Sequence, residues 1–166
     1  MDYRKATSYW EEKEAHAVKM EHGALLQEME KFILAHNTCA LATGCGDFVR
    51  CTPIEYSYKD GFFWLLTEGG LKFRALEGNK NVSLAIFDGY TGFSQLGGMQ
   101  IAGTAELVEP WSAEYLELFE FKKLSVENMK KLPVTLHLIK ITPRCIDFLS
   151  SEFKKSGFDS RQQLCF

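Results

Sequence analysis

The chain has 166 residues, a formal net charge of −3 and a pI near 5.8. With 46% hydrophobic and 25% charged residues, it has the composition of an ordinary globular protein. This excludes disordered, collagen-like and coiled-coil classes. No apolar run approaches the roughly 20 residues of a membrane-spanning helix, and the mild acidity argues against nucleic-acid binding.

The length predicts one domain over residues 1–166, with 1–22 as an N-terminal helical extension. The opening Met1-Asp2-Tyr3-Arg4-Lys5 leads into a charged segment and carries no secretory signal. The 5 cysteines are Cys39, Cys45, Cys51, Cys145 and Cys165. Their odd number, and the lack of any Cys-x-x-Cys pair, predict reduced thiols in a cytoplasm and no zinc site. Cys39 reads as a small core residue and Cys45, between two glycines, as a turn residue.

Residues 8–20 are rich in Glu, Lys and Ala and predict a helix lying on a surface or on a partner subunit. Leu25, Met29, Phe32, Ile33 and His36 recur at helical spacing, so 24–36 is an amphipathic helix with one core face. The texture then changes to strands. Residues 39–43 are short and apolar, and 44–47 are a turn signal. Residues 48–58 have strand composition, with Pro53 marking an edge or bulge. Lys59-Asp60-Gly61 predicts a hairpin turn. The strand 62–67 that follows is apolar enough to be buried on both faces. A short helix over 71–76, a strand over 82–87 and a Gly- and aromatic-rich loop over 88–98 come next. A strand over 99–108, a helix capped by Ser112 and running to Phe121, and a long strand over 134–148 complete the chain. Strands at hairpin spacing predict an antiparallel, mainly β fold with flanking helices, closed towards a small barrel.

The chemistry concentrates in Arg50-Cys51-Thr52-Pro53 and in Leu66-Thr67-Glu68-Gly69-Gly70-Leu71-Lys72-Phe73-Arg74. A hairpin sets the neighbourhoods of Arg50 and Thr67 side by side, and Lys72 and Arg74 open the short helix. Three cations, a hydroxyl and helix-start amides suit a phosphate. On spacing alone, basic residues after a strand are more often solvated surface, and Glu68 weighs against a dianion. His16, His22, His36 and His137 are dispersed. No Ser-His-Asp or paired-carboxylate constellation supports hydrolysis.

The order Arg50-Cys51-Thr52-Pro53, Gly61-Phe62-Phe63-Trp64, Leu66-Thr67, Leu71-Lys72, Asn79-Lys80-Asn81-Val82-Ser83-Leu84-Ala85-Ile86 and Gly103-Thr104-Ala105-Glu106-Leu107-Val108 resembles the pyridoxamine 5'-phosphate oxidase-like, FMN-binding split-barrel family. The resemblance covers roughly half the chain. It implies an antiparallel split β-barrel of the FMN-binding type, and a homodimer with one FMN in each of two interface sites. It gives Arg50, Thr67 and Lys72 the FMN phosphate and ribityl chain, with Leu66 and Leu71 beside them. It sets the backbone of Cys51, Thr52 and Pro53 at the isoalloxazine edge. Gln100 substitutes for a glutamine that the family brings from the partner subunit. Tyr90, Phe93, Met99 and Trp111 are candidate covers for the ring. The C-terminal Trp and Arg with which the founding enzyme grips pyridoxal phosphate have no clear match, so vitamin B6 oxidation is not implied. Some relatives bind haem, with His137 the candidate ligand here, or a deazaflavin. The resulting expectation is a cytoplasmic FMN oxidoreductase passing hydride from a reduced nicotinamide to a small acceptor. The alternative is a non-enzymatic FMN- or haem-binding module.

Overall fold

The computed structural model describes residues 2–166. Helix α1 (Tyr3–Ala15) is capped by Asp2, whose carboxylate accepts from the amides of Arg4 and Lys5. The helix starts earlier than its composition predicts because that cap satisfies the first free N–H groups. Helix α2 (His22–Ala35) buries Leu25, Met29 and Ile33, one residue per turn, so its apolar stripe closes one end of the core.

One eight-stranded antiparallel sheet forms the body: β1 (Thr38–Cys45), β2 (Phe48–Glu55), β3 (Ser57–Lys59), β4 (Phe62–Thr67), β5 (Asn81–Phe87), β6 (Gly97–Val108), β7 (His137–Ser150) and β8 (Arg161–Cys165). Its order is β2-β1-β5-β6-β7-β4-β3, with β8 added to β7. It curls round a core of Leu41, Phe63, Leu65, Leu84, Ile86, Ile101, Ile139, Ile141 and Ile146. The chain thus has the split-barrel architecture. β2, which carries Pro53, is an edge strand, where a missing ladder donor is tolerated.

The predicted strand over 48–58 is broken in two. Tyr56 turns inward between β2 and β3: it is buried, its amide donates to the Asn37 carbonyl and its hydroxyl to the Ile33 carbonyl at 2.6 Å. Asp60 and Gly61 both take positive φ in the hairpin that follows, the conformation a tight two-residue turn requires. β4 is buried on both faces because a second layer covers it. Helix α4 (Ala113–Phe121) packs Tyr115, Leu118 and Phe119 against Trp64, Val108 and Leu138, while Phe63 and Leu65 face the main core.

β6 and β7 pair along their whole length, with a shift of register at Ala102/Gly103. A Cβ on Gly103 would stand 2.7 Å from the Thr142 carbonyl oxygen, so only glycine fits this crossing. The last long strand begins at His137 and not at residue 134. Helix α3 (Lys72–Gly78), the helix α5 (Val126–Lys130), a 3-10 turn (Ser151–Ser156) and β8 complete the chain; α5, the 3-10 turn and β8 were not anticipated. β8 is held by long-range bonds. The Gln162 side chain donates to the Val18 and Asp159 carbonyls and accepts from the Met20 amide. Cys165 lies directly opposite Cys145 on β7 and is bonded to it. The expectation of five reduced thiols is corrected here: sheet register pairs two cysteines that sequence spacing does not. Cys39 is buried and Cys45 and Cys51 are exposed as free thiols. No helix among the described residues is long and apolar enough to cross a membrane.

Candidate functional site

The loop between β4 and α3 folds round Gly69. The Gly69 amide donates to the Thr67 hydroxyl at 3.3 Å, and the Lys72 ammonium donates to the Gly69 carbonyl. Gly69 and Gly70 hold φ of 129° and 103°, backbone that a side chain would strain. This tight loop draws Thr67 and Lys72 together.

Arg50 comes from the edge strand. It pairs across the ladder with Thr43, on the sheet face covered by α3. Lys72 is only 5% exposed. Burial, and then the charge of Arg50, hold its amine below the ordinary lysine range. Neither cation has a carboxylate partner among the described residues. Two buried hydroxyl oxygens, on Thr43 and Thr52, have no hydrogen-bond partner. Both lie on the Arg50 face of the β1–β2 ribbon. Buried polar atoms are rarely left unpaired. The arrangement leaves two cations without a counter-charge and two hydroxyls without a partner.

The third expected cation does not join it. The Arg74 guanidinium lies over the Phe48 ring, 4.9 Å from its centroid. Nor are the helix-start amides all free, since those of Phe73 and Arg74 donate to the Gly70 and Leu71 carbonyls. Leu66 faces the α4 cluster, and Leu71 is exposed. Cys51 and Pro53 point away from Arg50 into solvent. Their strand has a neighbour on one side only, which leaves alternate backbone N–H and C=O groups unpaired. Gln100 lies on the opposite face of the sheet, exposed beside Ala85 and Asp147, and does not meet Arg50, Thr67 or Lys72 within one chain. Of the candidate covers, Tyr90 and Phe93 are exposed, whereas Met99 is in the core and Trp111 packs on Tyr115. Met99 is thus closed off from any ring, while Trp111 is half-buried.

His137 does join the site. It pairs with Thr67 across β4 and β7 and stacks on Phe73 with ring centroids 5.1 Å apart. The Phe73 ring in turn carries the Lys72 ammonium 5.4 Å from its centroid. The sequence places His137 within the strand over 134–148 but gives no register to bring it to the cradle.

No curated protein matches the chain significantly. Among solved structures it is similar to a FAD-binding protein from Mesorhizobium loti (TM-score 0.59, 15% identity, 73% of this chain and 89% of that one). It is also similar to the haem storage protein HutZ from Vibrio cholerae (TM-score 0.58, 16% identity, 71% and 89%). A conserved hypothetical protein from Mycobacterium tuberculosis aligns with TM-score 0.63 and 22% identity over 87% of this chain and 92% of that one. At these identities the likeness is one of fold. The family profile described as Pyridoxamine 5'-phosphate oxidase matches residues 25–149, a span that takes in the whole Arg50–Thr67–Lys72 cradle, and the chain belongs to that family.

Proposed function

We propose that this chain is an FMN-binding oxidoreductase that works as a homodimer. The observation that carries this reading is Lys72, a buried ammonium beside Arg50, with no carboxylate paired to either among the described residues. A phosphate monoester supplies the missing charge. Arg50 would take it through its fork, Lys72 as a point charge, and Thr67 through its hydroxyl. The unpartnered hydroxyls of Thr43 and Thr52 suit a polyol chain leading away from the phosphate. The free backbone edge of β2 at Cys51, Thr52 and Pro53 would meet the polar rim of the ring.

Bound FMN would supply hydride transfer from a reduced nicotinamide to a small acceptor. The protein's part is to hold the phosphate, fix the ring's edge and limit water. A second copy is needed because Gln100 lies on the opposite sheet face from the cradle and reaches a flavin only across an interface. Exposed Val49 and Phe87 suit burial there. A cytoplasmic location is part of the proposal. There the Cys145–Cys165 bond would be open to reduction by the thiol pool.

A second reading has its own observation. The exposed His137 imidazole beside Phe73 suits a haem ligand, and haem storage is what the structural neighbour from Vibrio cholerae does. The test is the visible spectrum of protein purified without added cofactor, and again after FMN and desalting. Bands near about 370 and 450 nm, bleached by NADH or NADPH, support the oxidoreductase. A sharp band near about 400 nm that vanishes in His137→Ala supports haem. Retained flavin that no nicotinamide bleaches supports the non-enzymatic module. A colourless protein that refuses FMN overturns the proposal.

A further inference from the structure

A pocket of about 250 Å³ lies between α1 and the C-terminal strand, lined by Trp10, Lys13, Leu96, Leu149, Lys154 and Arg161 among others. It is distinct from the cradle. The cradle sits at the His137 end of β7, and this pocket at the other end, where Leu149 pairs with Arg161.

Its chemistry is lopsided. The ammonium of Lys13 and the guanidinium of Arg161 lie 4.9 and 5.2 Å from the centroid of the Trp10 ring. Neither cation, nor Lys154, has a carboxylate partner among the described residues. Of the two acids in the lining, Glu14 pairs with Lys19, while Asp159, which accepts from the Val18 amide at 2.7 Å, keeps its charge against the cations of Lys13, Lys154 and Arg161, so the balance stays positive. What remains is positive charge set on an indole and two leucines. The volume is below that of pockets for drug-sized ligands, which start at about 300 Å³.

We propose that this pocket binds a small aromatic carboxylate of one or two rings. The carboxylate pairs with Arg161, which offers two parallel donors, and with Lys13 or Lys154. The ring packs on Trp10, Leu96 and Leu149. Unlike the cradle, which suits a phosphate and a polyol, this site demands an apolar ring next to the charge.

The test titrates the full-length protein with 2-naphthoate, followed by equilibrium dialysis, alongside the uncharged 2-naphthalenemethanol. The alcohol is expected to bind at least about tenfold more weakly, and Arg161→Gln and Trp10→Leu each to weaken naphthoate about tenfold or more. Lys72→Met is expected to leave naphthoate binding unchanged while weakening FMN, which separates this site from the cradle. Trp10 is half exposed on a peripheral helix, so its variant keeps the test valid if Arg161→Gln loosens β8. Equal binding of acid and alcohol overturns the proposal, as does no binding at about 1 mM. So does full displacement of naphthoate by inorganic phosphate, which would mark a plain anion site.

Discussion

Arg50 and Lys72 stand together as two cations with no carboxylate partner among the described residues: the charge of Arg50 adds to burial in holding the Lys72 amine below its ordinary range. A fold gains nothing from such a pair unless something anionic joins it. Substituting either residue should therefore separate binding from stability. Arg50→Ala and Lys72→Met should each weaken FMN by about 1.5–3 kcal/mol, the scale of a charge-assisted hydrogen bond. Lys72→Met should at the same time stabilise the cofactor-free protein by about 1 kcal/mol, or roughly 3 °C in its melting midpoint. Flavin titration and thermal unfolding of one preparation read both. Unchanged FMN affinity in both variants would mean that the phosphate binds elsewhere.

The same pair sets a pH dependence whose sign follows from linkage. The folded-state pKa of Lys72 lies below its unfolded value, near 10.5, so the charged amine disfavours folding. That cost is fully present below the folded pKa. It disappears as pH rises through the folded pKa towards 10.5. The cofactor-free protein should gain stability across that alkaline window, and Lys72→Met should not. Stabilisation by added phosphate should run the opposite way, strong at neutral pH and fading as the amine loses its proton. Melting curves in phosphate and in a non-binding buffer at several pH values distinguish the two slopes.

The local part of the cradle was legible in the sequence, because Thr67, the two glycines and Lys72 are neighbours in the chain. The glycines mark the end of the strand, but the turn of Lys72 back on the Gly69 carbonyl is visible only in the structure. The hairpin expected to set Arg50 beside Thr67 does not form, because β2 pairs with β1 while β4 pairs with β3 and β7; Arg50 meets Lys72 instead through α3, which packs on β1 and β2. What escaped was everything that depends on register or on distant polar bonds. His137 reaches the site only because β7 pairs with β4. Gln100 could be put on a strand but not on a side of the sheet relative to Arg50. Strand β8, Arg161-Gln162-Gln163-Leu164-Cys165, has too little alternation to be recognised. Gln162, bonded to the N-terminal segment, and the Cys145–Cys165 bond hold it instead. The break at Tyr56 was invisible for the same reason: its cause is the Ile33 carbonyl on a different element.

Gly103 tests how much the split barrel depends on one close approach. Its added Cβ would meet the Thr142 carbonyl oxygen at 2.7 Å and the Ile141 Cγ2 atom at 2.9 Å. The first is backbone and cannot swing aside. Gly103→Ala should cost about 2–4 kcal/mol by forcing β6 and β7 apart at their register shift. Gly89 has nothing within 4 Å of its added Cβ, so Gly89→Ala is the control and should stay within about 0.5 kcal/mol of wild type. Denaturant unfolding of the two variants reads the difference directly.

The Cys145–Cys165 bond makes a further claim on stability and on the N-terminus. The ladder bonds at Arg144/Phe166 and Ser150/Ser160 leave this pair at a position without hydrogen bonds between its residues, where opposite side chains come closest. The two residues are 20 apart in sequence, so opening the link frees a loop whose closure is worth about 3 kcal/mol in the chain-entropy account. Reduction should lower the unfolding free energy by about that amount, and Cys145→Ser should abolish the sensitivity to reductant. Because Cys165 ends the strand that carries Gln162, loosening it should also release the Met20 amide from the Gln162 side-chain oxygen Oε1. Faster hydrogen exchange at Met20, with exchange at Leu84 in the core unchanged, would show β8 parting from the sheet while the barrel holds. Equal exchange at Met20 with and without reductant would mean that Gln162 alone keeps β8 in place.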